Sequence, residues 1–202
     1  MSTLIKHNYN ERTFNYHDIN VNDNTNLHGY LQSEKYFKHC EDVIRKHFEP
    51  SEKIKKEMKL IFDSTKDYCA VHVRRGDYVK LSATHHPLQT LEYYNKAMSM
   101  IRKTNPGILF IVFSDELSWC KENLKGSDIN YSWEYGNPVH IYDFFCMASF
   151  KHNIIANSSF SWWAAWLNKN PDKRVIAPLN WFGPALPENH DKDIVPEGWE
   201  RI

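Results

Sequence analysis

Apolar residues follow two different rhythms along this chain. From Ser33, the apolar positions Tyr36, Phe37, Cys40, Val43, Ile44 and Phe48 recur every three or four residues, which predicts a helix with one buried face. Pro50 ends that run, and Ile54, Met58, Leu60, Ile61 and Phe62 predict a second helix. Beyond residue 62 short apolar runs alternate with helical patterns. Strands are predicted at Tyr68–Val73, Ile108–Phe113, Asn153–Ala156 and Arg174–Ala177. Helices are predicted between them, at Leu88–Lys103, Leu117–Leu124, Val139–Phe150 and Phe160–Asn168. The strand runs show little polar alternation, as a parallel sheet covered on both faces requires. The reading is an α/β fold: a Rossmann-like parallel sheet with flanking helices over residues 63–202, preceded by a mostly helical segment, 1–62, whose first 32 residues are polar and weakly periodic.

This arrangement gives the polar residues at the strand ends their meaning. The first strand of the sheet runs into Arg74-Arg75-Gly76-Asp77, the second into Ser114-Asp115-Glu116, and the third into Asn157-Ser158-Ser159. In an open parallel sheet these three ends share one rim, the rim where ligands bind. Core packing does not account for three polar clusters there.

Strand side chains alternate, so two adjacent arginines point to opposite sides. One of Arg74 and Arg75 can face a ligand while the other pairs with a carboxylate. A guanidinium suits phosphate oxygens because its donors lie in a planar fork. The plain alternative is that both arginines pair with Asp77 and neighbouring acids. Ser158 or Ser159 is placed to head a helix, where free amides and the helix dipole form an anion site; simple capping is the alternative. Asp143 is an acidic point in an otherwise apolar helix. It is either a carboxylate for the N1 and N2 edge of guanine or a partner of the helix dipole. No sequence pattern for a metal is present. His85-His86 are adjacent and do not share a ligand face, and Asp191-Lys192-Asp193 lies in a polar tail and reads as solvated surface.

Charge and composition narrow the classes. Lys plus Arg equals Asp plus Glu at 25 each, which argues against a nucleic-acid partner. Seven Trp and eleven Tyr suit either a dense core or sugar contacts. The cysteines Cys40, Cys69, Cys120 and Cys146 form no C-x-x-C pair and read as free thiols of a reducing compartment. No signal peptide or membrane span is visible, which implies a cytoplasmic protein. Attachment to a membrane surface is left open.

The motifs, in order, are similar to those of glycosyltransferase family 11, the galactoside α-1,2-fucosyltransferases. His72–Tyr78 (HVRRGDY) resembles the family's basic motif, and Phe113–Cys120 (FSDELSWC) its second motif, with Glu116 where an aspartate is usual. HNIIANSSFSWWAAWL, within Asp143–Leu167, resembles the third, and Gly29–Phe37 (GYLQSEKYF) the segment before the first. The resemblance implies the donor-binding half of a GT-B-type enzyme that transfers L-fucose from GDP-L-fucose, with inversion, to the 2-hydroxyl of a galactose-terminated glycan, with no metal and no other cofactor. It implies that Arg74, or failing that Arg75, grips the β-phosphate. His72 and Asp143 would approach the guanosine, and Ser158, Ser159 and Phe160 would line the diphosphate and base pocket. Asp115 and Asn157 go with the donor site as strand-end residues, and Asp77 is the candidate base. The family's opening GGLGNQMFQ segment is not found, so the N-terminal half is expected to be truncated. A non-catalytic GDP-sugar-binding module is therefore kept as an alternative, as is an unrelated flavodoxin-like binding protein.

Overall fold

A computed structural model describes residues 7–132, 139–186 and 191–202. Its centre is a six-stranded, all-parallel sheet. In chain order the strands are β3 (Tyr68–Val73), β4 (Leu109–Ser114), β5 (Ile129–Tyr131), β6 (His152–Ile154), β7 (Val175–Ala177) and β8 (Glu200–Arg201), following a separate parallel pair, β1 (His7–Asn10) and β2 (Thr25–His28). The spatial order β5-β4-β3-β6-β7-β8 is the doubly wound order, in which the chain reverses direction between β3 and β6.

The helices divide between the two faces as this order demands. Helices α1 (Glu41–His47), α2 (Glu52–Ile61) and α3 (Tyr78–Leu81) come first, then α4 (Leu91–Thr104), α5 (Leu117–Asn123), α6 (Val139–Ser149) and α7 (Ser159–Leu167). Tyr94, Met98 and Ile101 of α4 and Cys120 of α5 pack with Cys69, Val71 and Val73 of β3. Ala70 lies on the opposite face with Cys146 and Met147 of α6 and Ala164 of α7. Alternate residues of one strand thus serve two cores, which is why β3 reads as a continuous apolar run.

Buried polar side chains tie the layers together. Asn168 Nδ2 donates to Phe150 O (2.7 Å) and Asn153 Oδ1 (2.8 Å), while Asn153 Nδ2 donates to Met147 O (2.7 Å). Lys173 Nζ donates to Ala165 O (2.8 Å) and Asn168 O (2.7 Å), closing the carbonyl end of α7. Burial, with the nearby Arg45 charge, pushes that ammonium down to about 8.

Several elements depart from the sequence reading. The helix predicted from Ser33 to Phe48 is two 3-10 turns, Glu34–Tyr36 and Lys38–Cys40, followed by α1. The break falls at Phe37, whose backbone leaves the helical region (φ −134°, ψ 3°) and whose ring stacks on Trp163 at 5.0 Å. Residues 7–62 carry the β1–β2 pair as well as helices. The sequence pattern does not predict β5 and β8, since strands of three and two residues are too short to show a period. Asp191 and Asp193 are partly buried and paired rather than freely solvated. Asp191 accepts from Arg201 (2.7 Å) and from Trp181 N (2.9 Å), and Asp193 pairs with Lys35 and accepts from Tyr16 N (3.1 Å). All four cysteines are free, and three are buried. No helix of the described residues is long and apolar enough to cross a membrane.

Candidate active site at the carboxyl rim of the sheet

β3 and β6 are hydrogen-bonded neighbours in register, Val71 opposite Ile154. Their carboxyl ends diverge into Arg74–Asp77 and Asn157–Ser159, so the two most polar sequence clusters flank the switch point. Tyr78 bridges it, its hydroxyl donating to Asn157 O at 3.1 Å. The Asn157 side chain is committed to the protein: Oδ1 accepts from Gln89 (3.1 Å) and Nδ2 donates to Trp181 O (3.0 Å). Asn157 thus braces the rim, and the groups left for a ligand are those that follow it.

Both arginines, which follow the last residue of β3, pair with acids, as the plain alternative has it, but with different ones. Arg75 turns to α5. Its Nε reaches Glu116 Oε2 at 2.8 Å, and its guanidinium lies 3.9 Å from the Trp119 ring centre. Glu116, the residue before α5, makes this contact through its carboxylate. Arg74 stays at the rim, its side chain one-third exposed. Nη1 pairs with Asp115 Oδ2 at 2.7 Å, Nη2 with Asp77 Oδ1 at 2.5 Å, and the guanidinium lies 5.3 Å from the Tyr78 ring centre. Asp115 also accepts from Arg75 N at 2.9 Å, so this one carboxylate fixes both the loop and the Arg74 fork. Its approach needs Gly76, because a Cβ there would stand 2.5 Å from Asp115 Oδ2.

Opposite the arginine loop, α7 begins without a cap. Ser158 has the extended backbone of an N-cap residue, yet its hydroxyl makes no capping bond. The first amides of a nine-residue helix are therefore unclaimed by a side chain, and the helix dipole adds positive potential there. Ser158 is buried, while Ser159 is exposed. Phe160 follows, 5.7 Å from the His72 ring and 5.5 Å from Phe144. His72 is 6% exposed, its Nδ1 has no partner, and burial next to Arg74 pushes its imidazole down to about 3, so it is neutral at physiological pH. Asp143, next to Phe144 on α6, makes no hydrogen bond or ion pair with the described residues, and burial pushes its carboxyl up to about 7.

Two residues without an assigned role in the sequence reading belong here. Tyr78 was visible as the last letter of HVRRGDY, with no signal that it spans the switch point. His86 stacks on Tyr78 at 4.7 Å, with an unpartnered Nδ1 and an imidazole lowered by burial. Nothing local in the sequence marks it. A groove of about 1010 Å³ lies at the amino-terminal ends of the central strands, against Tyr68, Lys151 and Asn170. Ion pairs such as Lys151–Asp67 and Lys169–Glu49 already engage charges along it. Position at the carboxyl ends, rather than size, identifies the site.

Fold and rim together define an α/β protein of the doubly wound, Rossmann-like class. The chain belongs to Glycosyl transferase family 11, whose pattern matches residues 4–202. It is 37% identical over 183 residues to an α-1,2-colitosyltransferase of Escherichia coli (86% of this chain, 61% of that protein). It is 36% identical over 135 residues to the O-antigen biosynthesis glycosyltransferase WbnK of the same organism (64% and 43%). It is 27% identical over 154 residues to human galactoside α-(1,2)-fucosyltransferase 1 (70% and 42%). The matched segments thus span about two-fifths to three-fifths of these relatives. The colitosyltransferase and the human fucosyltransferase are both named for α-1,2 transfer.

Proposed function

We propose that the chain binds GDP-L-fucose at the β3/β6 switch point and takes part in inverting transfer of fucose to the 2-hydroxyl of a galactoside. The observations that carry this reading are Arg74, held at the rim by Asp77 and Asp115, and the uncapped start of α7 after the neighbouring strand β6. In such a transfer the sugar becomes oxocarbenium-like, and negative charge grows on the departing diphosphate. Fixed donors aimed at that charge stabilise the transition state without reorganising. Arg74 and the amides of Ser159 and Phe160 are those donors, and they take the part a divalent cation plays elsewhere. Neutral His72 and Phe160 provide the apolar bed for the guanosine, and Asp143 accepts from the guanine edge. Asp77, 60% exposed and tied to Arg74 through one oxygen, is the carboxylate closest to the clamp to accept the acceptor's proton.

The relative named for colitosyl transfer favours a second donor. Colitose is fucose without its 3-hydroxyl, so one site can take either. Calorimetric titration in EDTA with GDP, GDP-fucose, GDP-colitose and UDP, followed by a transfer assay to lactose, tests the proposal. GDP binding in EDTA, with UDP much weaker, is the expected result. Binding without transfer selects the non-catalytic module, and preference for UDP refutes the assignment.

A further inference from the structure

The segment Gly29–Phe37 matches a family pattern but plays no part in the site described above. It forms one wall of a separate cavity of about 220 Å³ that opens beside Ser159, at the start of α7. Tyr30, Gln32 and Phe37 line it from one side, and Ser159, Trp162 and Trp181 from the other. We propose that this cavity holds a hexopyranose ring of the transfer reaction. The inference rests on the reading above, which places the diphosphate at the same helix start.

The wall is built rather than incidental. Leu31 has a left-handed backbone (φ +47°), a conformation that non-glycine residues rarely hold except where their surroundings impose it. Glu11 imposes it here. Its Oε2 accepts from Tyr30 N at 2.7 Å and from Leu31 N at 3.1 Å. Gly29 permits this approach, since a Cβ there would stand 2.4 Å from the Glu11 Cβ. Phe37 anchors the far end by stacking on Trp163 and meeting Trp162 and Trp166 edge-on. The strained turn presents Tyr30, 75% exposed with its ring edge-on to Phe14.

The chemistry of the cavity selects a sugar. Its volume lies below the ~300–1,000 Å³ that holds a drug-sized ligand, so it takes one ring and not a nucleotide. Half of the lining residues are aromatic, suiting the C–H face of a pyranose or the methyl group of a 6-deoxy sugar. The Gln32 carboxamide and the Ser159 hydroxyl make no hydrogen bonds with described residues, which leaves an amide and a hydroxyl for sugar hydroxyls. The cavity offers no carboxylate, the group a guanine edge calls for.

Saturation-transfer NMR tests this on the full chain with GDP present, using methyl α-L-fucopyranoside and lactose in separate samples. Tyr30→Ala and Gln32→Ala are compared with the native chain, and circular dichroism confirms that each folds. At least one sugar is expected to receive saturation from the native chain and to lose most of it, fivefold or more, in both variants. The fucoside responding identifies the donor's ring, and lactose identifies the acceptor's. No transfer to either sugar, or equal transfer in native and variant chains, overturns the inference. A parallel GDP titration separates the two proposals: GDP bound with the sugars unaffected by the substitutions rejects the cavity alone, whereas no GDP binding to the native chain rejects the underlying reading.

Discussion

Arg74→Ala is expected to lower the turnover of fucosyl transfer by about 10²–10³-fold, equivalent to ~3–4 kcal/mol of lost transition-state stabilisation. Arg74 has two carboxylates holding its fork, from Asp77 at 2.5 Å and Asp115 at 2.7 Å, so the guanidinium plane is set before any ligand arrives. Arg74→Lys is expected to fail nearly as badly, because an ammonium is a point charge that cannot span both carboxylates and still present paired donors to a phosphate. Arg75→Ala behaves differently. It removes the Glu116 pair and the Trp119 contact, so its first effect falls on stability. Rates measured on each purified variant, alongside its urea-unfolding midpoint, check the division. Full turnover in Arg74→Ala contradicts it, as does a purely catalytic loss in Arg75→Ala with stability unchanged.

Asp143 is expected to make both stability and nucleotide binding depend on pH. Burial raises its carboxyl to about 7, above the ~3.9 of an unfolded aspartate. Between about pH 4 and 7 the folded chain therefore holds a proton that the unfolded chain has lost, and stability falls as pH rises through that window. The full span corresponds to roughly 4 kcal/mol at most, and the dependence levels off above pH 7. Asp143→Asn is expected to remove this slope and to be the more stable protein at pH 8. Binding runs the other way. A guanine edge donates to the ionised carboxylate, so GDP affinity falls about tenfold per unit as pH drops below 7, and in Asp143→Asn it is weaker and flat. Urea unfolding and GDP titration at pH 5, 6, 7 and 8 read both trends. An unchanged slope in the variant removes Asp143 from the site.

Much of this could be read from the residues, for physical reasons. β3 and β4 are long apolar runs because both faces of a central parallel strand are buried, and their ends are visible because Arg74 and Asp115 interrupt them. Arg74 and Arg75 follow Val73, the last residue of β3, so strand alternation alone does not sort them. Which of them stays at the rim depends on Trp119 and Glu116, about forty residues away, so it emerges only from the fold. β5 and β8 escape because pairing with a neighbouring strand, not any period of their own, makes them strands. The tail aspartates escape because their partners, Lys35, Tyr16 and Arg201, come together only in three dimensions. The turn at Leu31 escapes because a non-glycine residue at φ +47° has no sequence signature, and the Glu11 carboxylate that holds it lies twenty positions earlier.

A crystal structure of the chain grown with GDP in EDTA shows whether the rim takes the diphosphate. The expected result is the β-phosphate within hydrogen-bond distance of the Arg74 guanidinium and of the amides of Ser159 or Phe160, with the base near His72 and Asp143. A diphosphate bound instead in the large groove beside Lys151 and Lys169, with Arg74 untouched, would contradict it.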